Sequence, residues 1–215
     1  MKSPWIGLLL LAGSVSAVPL ELGYSEFYSQ MKTFAKGEFG MARLGFYLTE
    51  PQSGRRCLIR SASVETLDRH EPATVTADGE LRLPFDPDLN LDKAKVVLDM
   101  IGEGSGCNMS VQVMADLPSG EVTVGDLDAA RQDMQRLLDK MAGMIGKHFL
   151  PPMRGIHLEM AQPDGRVALI AKQGERQLVW QKGRLAIDDE TLKGSTQDRL
   201  AFDTPPLRVT PWLGQ

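Results

Sequence analysis

Cysteine is scarce in this chain. Only Cys57 and Cys107 occur among 215 residues, and they form no C-x-x-C, which argues against zinc sites and dithiol redox motifs. An excess of positive charge is also missing. Lys plus Arg is 24 against 28 Asp plus Glu, a net charge of -4, which is the wrong sign for gripping phosphate backbones and too mild for acidic self-repulsion. General nucleic-acid binding is therefore disfavoured. Beyond the first 17 residues no apolar run is long enough to cross a bilayer, and no repeat of fixed period occurs. What remains is ordinary globular material: 42% hydrophobic and 24% charged residues in a chain long enough to bury a real core without metals.

The opening MKSPWIGLLLLAGSVSAVPLE reads as an export leader: Lys2, an apolar stretch from Trp5 to Ala12, then Val15-Ser16-Ala17 as a small-residue cleavage site. Cleavage is expected after Ala17, so that residues 1–17 are a signal peptide and the mature chain starts at Val18. As a membrane span the stretch is too short, since spanning takes about 20 apolar residues. Leu11-Ala12-Gly13-Ser14 has the outline of a lipoprotein signal, but serine stands where the lipid-accepting cysteine would be. Export would carry Cys57 and Cys107 into an oxidising compartment, and we expect them paired; two buried free thiols are the alternative. Closing a loop of that length stabilises a fold by roughly 4 kcal/mol as an upper figure.

Periodicity supplies the architecture. Tyr24, Phe27, Tyr28, Met31, Phe34 and Ala35 recur at helical spacing up to Gly37, which predicts a short N-terminal helix. Ala42, Leu44, Phe46 and Leu48 alternate, and Pro51-Gln52-Ser53-Gly54 turns the chain into a second strand through Cys57 and Ile59, a hairpin. Short apolar runs at Leu81–Phe85, Ala94–Met100 and Met109–Ala115 are read as strands, although the middle one also fits a helix. Thr123-Val124-Gly125-Asp126 is a capping box with Val122 and Leu127 as its staple. The helix it starts carries Leu127, Ala130, Met134, Leu137, Leu138, Met141, Ile145 and His148 on one stripe and is expected to end at Pro151-Pro152. A meander of short strands follows through Ile156, Leu158, Val167–Ala171 and Leu178–Gln181. The tail from Pro205 to Leu213 is expected to stay extended and unpaired, because proline interrupts sheet ladders. The class is α+β: mainly antiparallel sheet with one long amphipathic helix and a shorter N-terminal helix, in a single domain over 18–215. A subdomain split near 117–121 is the alternative.

Candidate chemistry is thin. His70 is placed in a polar loop, His148 near the helix end and His157 on the polar side of a strand, none with a local partner. Gly104-Ser105-Gly106 is flanked by Glu103 and Cys107, so it is not a nucleophile elbow. Gly143 to His148 lacks the spacing of a phosphate loop. Asp86, Asp88, Asn90 and Asp92 set oxygens at alternate positions, which suits Ca²⁺, but Leu91 and Val97 occupy the places of the loop glycine and the bidentate glutamate. A turn capped by Asp side chains is the plainer reading, with calcium left open. Arg55, Arg56 and Arg60 beside Cys57 read as a solvated strand face or an anion-binding strip. Met134, Met141 and Met144 read as core filling or an adaptable groove. Asn108-Met109-Ser110 would accept a glycan only in a host with that machinery.

Phe46-Tyr47-Leu48-Thr49, Cys57-Leu58-Ile59-Arg60, Leu83-Pro84-Phe85-Asp86, Cys107 and the closing Val209-Thr210-Pro211-Trp212 together resemble a gammaproteobacterial family of exported proteins catalogued only as a domain of unknown function. The resemblance spans nearly all of the mature chain. It implies a periplasmic bacterial protein with paired cysteines as a family feature, and it implies no activity.

The sequence thus assigns no catalytic, cofactor-binding or metal-binding residue. The expected role is a non-catalytic periplasmic module that contacts an envelope protein or a glycan through a sheet face, the Met-rich helix or the tail at Trp212. The rival is an envelope hydrolase whose acid and base, drawn from Asp86, Glu103, His157 and Glu159, meet only in the fold.

Overall fold

Val96, Leu98 and Met100 alternate with Lys95, Val97 and Asp99, and the stretch is the strand that its period of two predicted over the helical alternative, paired on both edges. A computed structural model of the protein describes residues 19–102, 104, 106–118 and 121–214. Residues 1–18, with the expected leader, lie outside them, as do Glu103 and Ser105. In chain order the elements are β1 (Leu20–Gly23), α1 (Tyr24–Ala35), β2 (Ala42–Thr49), β3 (Leu58–Glu65), β4 (His70–Val75), β5 (Leu81–Arg82), α2 (Pro87–Leu91) and β6 (Lys95–Ile101). They continue with β7 (Asn108–Ala115), β8 (Val122–Thr123), α3 (Val124–Gly146), β9 (Met153–Glu159), β10 (Gly165–Ala171), β11 (Gly174–Trp180) and β12 (Arg184–Asp188). The last three are α4 (Asp189–Leu192), β13 (Arg199–Ala201) and β14 (Arg208–Leu213). This is the α+β arrangement that the periodicities predicted.

Ten strands form one sheet in the order β1-β6-β3-β4-β5-β2-β7-β14-β9-β12, and β11-β10-β13-β8 form a second; every pairing is antiparallel. Two apolar cores lie against the large sheet. One gathers Tyr24 and Phe27 of α1 and Leu89 of α2 onto β2, β3 and β6. The other gathers Leu127, Ala130, Met134 and Leu137 of α3 onto β7, β9, β12 and β14 and onto the small sheet. The capping box of α3 is formed as expected: Thr123 Oγ1 accepts from the Asp126 N–H at 3.0 Å, and Asp126 Oδ2 accepts from the Thr123 N–H at 2.9 Å.

Several expectations are corrected. The hairpin of β2 and β3 opens at once: after the Thr49↔Arg56 bridge, β2 pairs with β7 and β5, whereas β3 pairs with β4 and β6. His70 opens β4 instead of lying in a loop. Only Leu81–Arg82 of the run Leu81–Phe85 is strand. The helical stripe stops at Met141, because Gly143 (φ 72) takes a left-handed conformation and turns the chain aside; Ile145 and His148 beyond it are exposed. The tail is no free end. Residues 208–213 pair with β9 as an interior strand, Pro211 opposite Ile156, and β14 touches β7 only at Val209↔Ala115. Pro211 thus lies where one edge of its strand carries no ladder, the setting that tolerates a missing N–H. Gly155 is required here, since a Cβ would stand 2.1 Å from the Ile187 carbonyl oxygen and wedge β9 from β12.

Candidate functional site

Strand β2 organises two sites, one on each face. Its odd residues Arg43, Gly45 and Tyr47 point one way; Leu44, Phe46 and Leu48 point the other. Tyr47 is 1% exposed, and its hydroxyl accepts a hydrogen bond from Arg208 Nη1 at 2.6 Å and donates to Asp78 Oδ2 at 3.1 Å. The Arg56 and Arg208 guanidinium groups lie 4.4 and 5.1 Å from the centre of its ring. Burial first, then the charges of Asp78 and Glu80, push the Tyr47 phenol far above its ordinary value, so it stays neutral. Burial pulls the Asp78 carboxyl upward, but hydrogen bonds from Thr76 and Tyr47 outweigh it and hold the group below the usual range. Nearby, buried Glu80 pairs with Arg43 at 2.7 Å and Arg82 at 3.4 Å, and Arg43 also reaches Asp116 at 2.8 Å. Each charge here has a partner, and the network braces β2 against β14 and the β4–β5 turn.

A second brace ties α3 to β2. Asp133 is buried, and its Oδ2 accepts from the Met41 and Ala42 N–H groups, both at 2.7 Å, while Oδ1 faces Arg136. Burial raises its carboxyl, but those two backbone donors and then Arg136 more than offset it and keep the group ionised.

The other face of β2 borders a slot. β2 pairs with β7 along all its residues, but it meets β5 only at Phe46↔Leu81. Past that point Leu83 to Phe85 veer away, and no strand among the described residues lies against the Arg43–Gly45 edge on that side. The gap, about 360 Å³, is floored by Met31, Phe34 and Ala35 of α1 and walled by Leu44, Phe46, Leu83 and Phe85. Arg43, Glu80 and Arg82 stand at its rim. Phe85 is half exposed and stacks on Tyr28 with ring centres 5.2 Å apart.

The residues singled out from sequence are scattered. Cys57 and Cys107 do form a disulfide, with an S–S distance of 2.03 Å, joining the start of β3 to the approach to β7. Asp86 caps α2 by accepting from the Asp88 N–H at 2.8 Å and pairs with Arg69 at 2.8 Å. Arg69 above all lowers its pKa. Asp88, Asn90 and Asp92 fan out around that helical turn, and no group of three metal-capable side chains occurs among the described residues. His157 does not meet Asp86: it packs against Trp212, ring centres 5.4 Å apart, while its strand neighbour Glu159 pairs with Arg184 at 3.1 Å. Burial and then the Arg184 charge push the imidazole below its ordinary value against the pull of Glu159. His70 faces Glu65 at 3.2 Å on the surface. Arg55 pairs with Glu50 and Arg60 with Asp99; Arg56 covers Tyr47. Met134 is fully buried, Met141 packs at the core margin and Met144 is exposed. Asn108 opens β7.

Sequence reading missed Asp133, Tyr47 and Arg208. Asp133 carried a usable signal, a carboxylate beside Met134 within an apolar stripe; Tyr47 and Arg208 carried none, since their partners are 31 and 161 residues away.

These features define a mainly antiparallel α+β protein clasped by one disulfide and braced by buried ion pairs. Residues 16–160 match the family described as "Protein of unknown function (DUF2987)", and the chain belongs to that family. The match ends at Met160, so the motif Val209-Thr210-Pro211-Trp212 falls outside it and the likeness is shorter than the sequence suggested. No curated protein and no solved structure matches the chain.

Proposed function

We propose that the protein is a non-catalytic binding module of the bacterial periplasm that holds a slim apolar ligand with an anionic end in the slot between β2, α1 and the Leu83–Phe85 segment. The slot carries this reading. Its volume lies within the range of small-molecule sites, about 300–1,000 Å³, and its lining is mainly apolar with few polar groups, the composition that gains from expelling water. A larger hollow of about 570 Å³ beside α4 is a weaker site, because its walls include Glu175, Arg176, Asp188, Glu190 and Asp198 and would favour water. At the slot rim Arg82 is 59% exposed and makes only a 3.4 Å contact with Glu80, which leaves donors for a carboxylate or phosphate. The disulfide supports an oxidising compartment.

The test is titration with an environment-sensitive apolar dye, followed by displacement with decanoate. Saturable binding that decanoate reverses is expected, abolished by Ala35→Trp, which fills the floor, and weakened by Arg82→Glu. Absence of saturable binding, or equal binding by Ala35→Trp, would overturn the reading.

A further inference from the structure

Past Gly143 the chain leaves the core and presents three large apolar side chains to solvent: Met144 is 86%, Ile145 77% and Phe149 81% exposed. Singly exposed apolar residues need no explanation, but three within six positions form a patch. The segment is not ragged. Backbone bonds from Lys147 to Gly143, His148 to Ile145 and Phe149 to Gly146, at 3.2, 3.2 and 2.9 Å, close it into a turn that satisfies the N–H groups of its second half. Each N–H satisfied in this way lowers the cost of entering a poorly hydrated layer.

Charge along this stretch of the chain is one-sided. From Lys140 to Leu158 there is no Asp or Glu, in a chain whose net charge is -4. Lys140 turns back to the Lys36 carbonyl at 3.0 Å, but Lys147 within the turn and Arg154 beyond it are exposed. Apolar residues framed by cations match a bilayer surface with anionic headgroups, where the tip enters the headgroup boundary and the cations meet phosphates. A second copy fits less well, since it would set like-charged flanks against each other. We infer that the turn 144–149, with Lys147 inside it and Arg154 just beyond it, docks the protein peripherally on an anionic lipid surface. The patch shares no residue with the slot, so the two proposals stand or fall separately.

Co-sedimentation with vesicles of phosphatidylcholine alone and of phosphatidylcholine with phosphatidylglycerol tests it. Binding to the anionic vesicles is expected to exceed that to the neutral ones about tenfold and to weaken with salt. Met144→Asp/Ile145→Asp/Phe149→Asp should abolish it and Lys147→Glu/Arg154→Glu should reduce it about tenfold, with thermal melts unchanged because the side chains are exposed. Three results overturn the inference: no preference for anionic vesicles, binding indifferent to both variants, or concentration-dependent self-association that the apolar variant removes while vesicle binding is nil.

Discussion

Arg208 of β14 donates to the Tyr47 hydroxyl of β2 at 2.6 Å, although 161 residues separate them in sequence. The contact fastens the last strand to the second across β7, and Asp78 closes it from the β4–β5 turn. Tyr47→Phe keeps the ring and both cation–π contacts but deprives Arg208 and Asp78 of the hydroxyl. We expect a loss of about 1–3 kcal/mol in urea unfolding at neutral pH. Because folding raises the phenol's pKa, its contribution is complete below the unfolded value of about 10 and declines as pH rises beyond it. Wild type should therefore lose stability above about pH 10 more steeply than Tyr47→Phe, and parallel pH profiles would show that the phenol is not the cause.

Asp133 gives the opposite sign. Its folded pKa is depressed, so its contribution is present above the unfolded value of about 4 and disappears as pH falls through the folded one. Asp133→Asn keeps the shape and loses the charge that both backbone donors face. The expected cost near neutrality is about 2–4 kcal/mol, measured by urea midpoint, shrinking toward pH 3 as the wild-type carboxyl itself protonates. A gap that stays constant with pH would place the effect in packing.

The disulfide spans 50 residues and links the approaches to β3 and β7, two strands that do not pair with each other. Cys57→Ser/Cys107→Ser should lower the free energy of unfolding by up to about 4 kcal/mol, with the secondary structure seen by circular dichroism retained. Intact-mass measurement before and after reduction should show the wild-type pair oxidised in periplasmic extracts; alkylation of both thiols without reductant would contradict the compartment proposed above.

Local pattern told much of this in advance. The capping box at Thr123, the stripe from Leu127 to Met141 and the alternation in β2, β6 and β7 were legible because helices and half-buried strands print their period on adjacent residues. β1, at four residues, is too short to print one, and β12 and β14 are defined by the neighbours they meet. Pro211 misled the reading of the tail because a strand's tolerance of proline depends on which edge is paired.

Sequence by itself determined the class of fold, the two helices that matter and the bridging partners Cys57 and Cys107, since with only two cysteines an intramolecular pairing has one solution. Tertiary structure decided the rest. The slot exists because Leu83 parts from Leu44 after a single ladder pair, Tyr47 and Arg208 meet because β14 docks between β7 and β9, and Met144, Ile145 and Phe149 are bare because Gly143 turns them off the stripe. Each depends on contacts between distant parts of the chain, whose free energies do not register in the spacing of neighbouring residues.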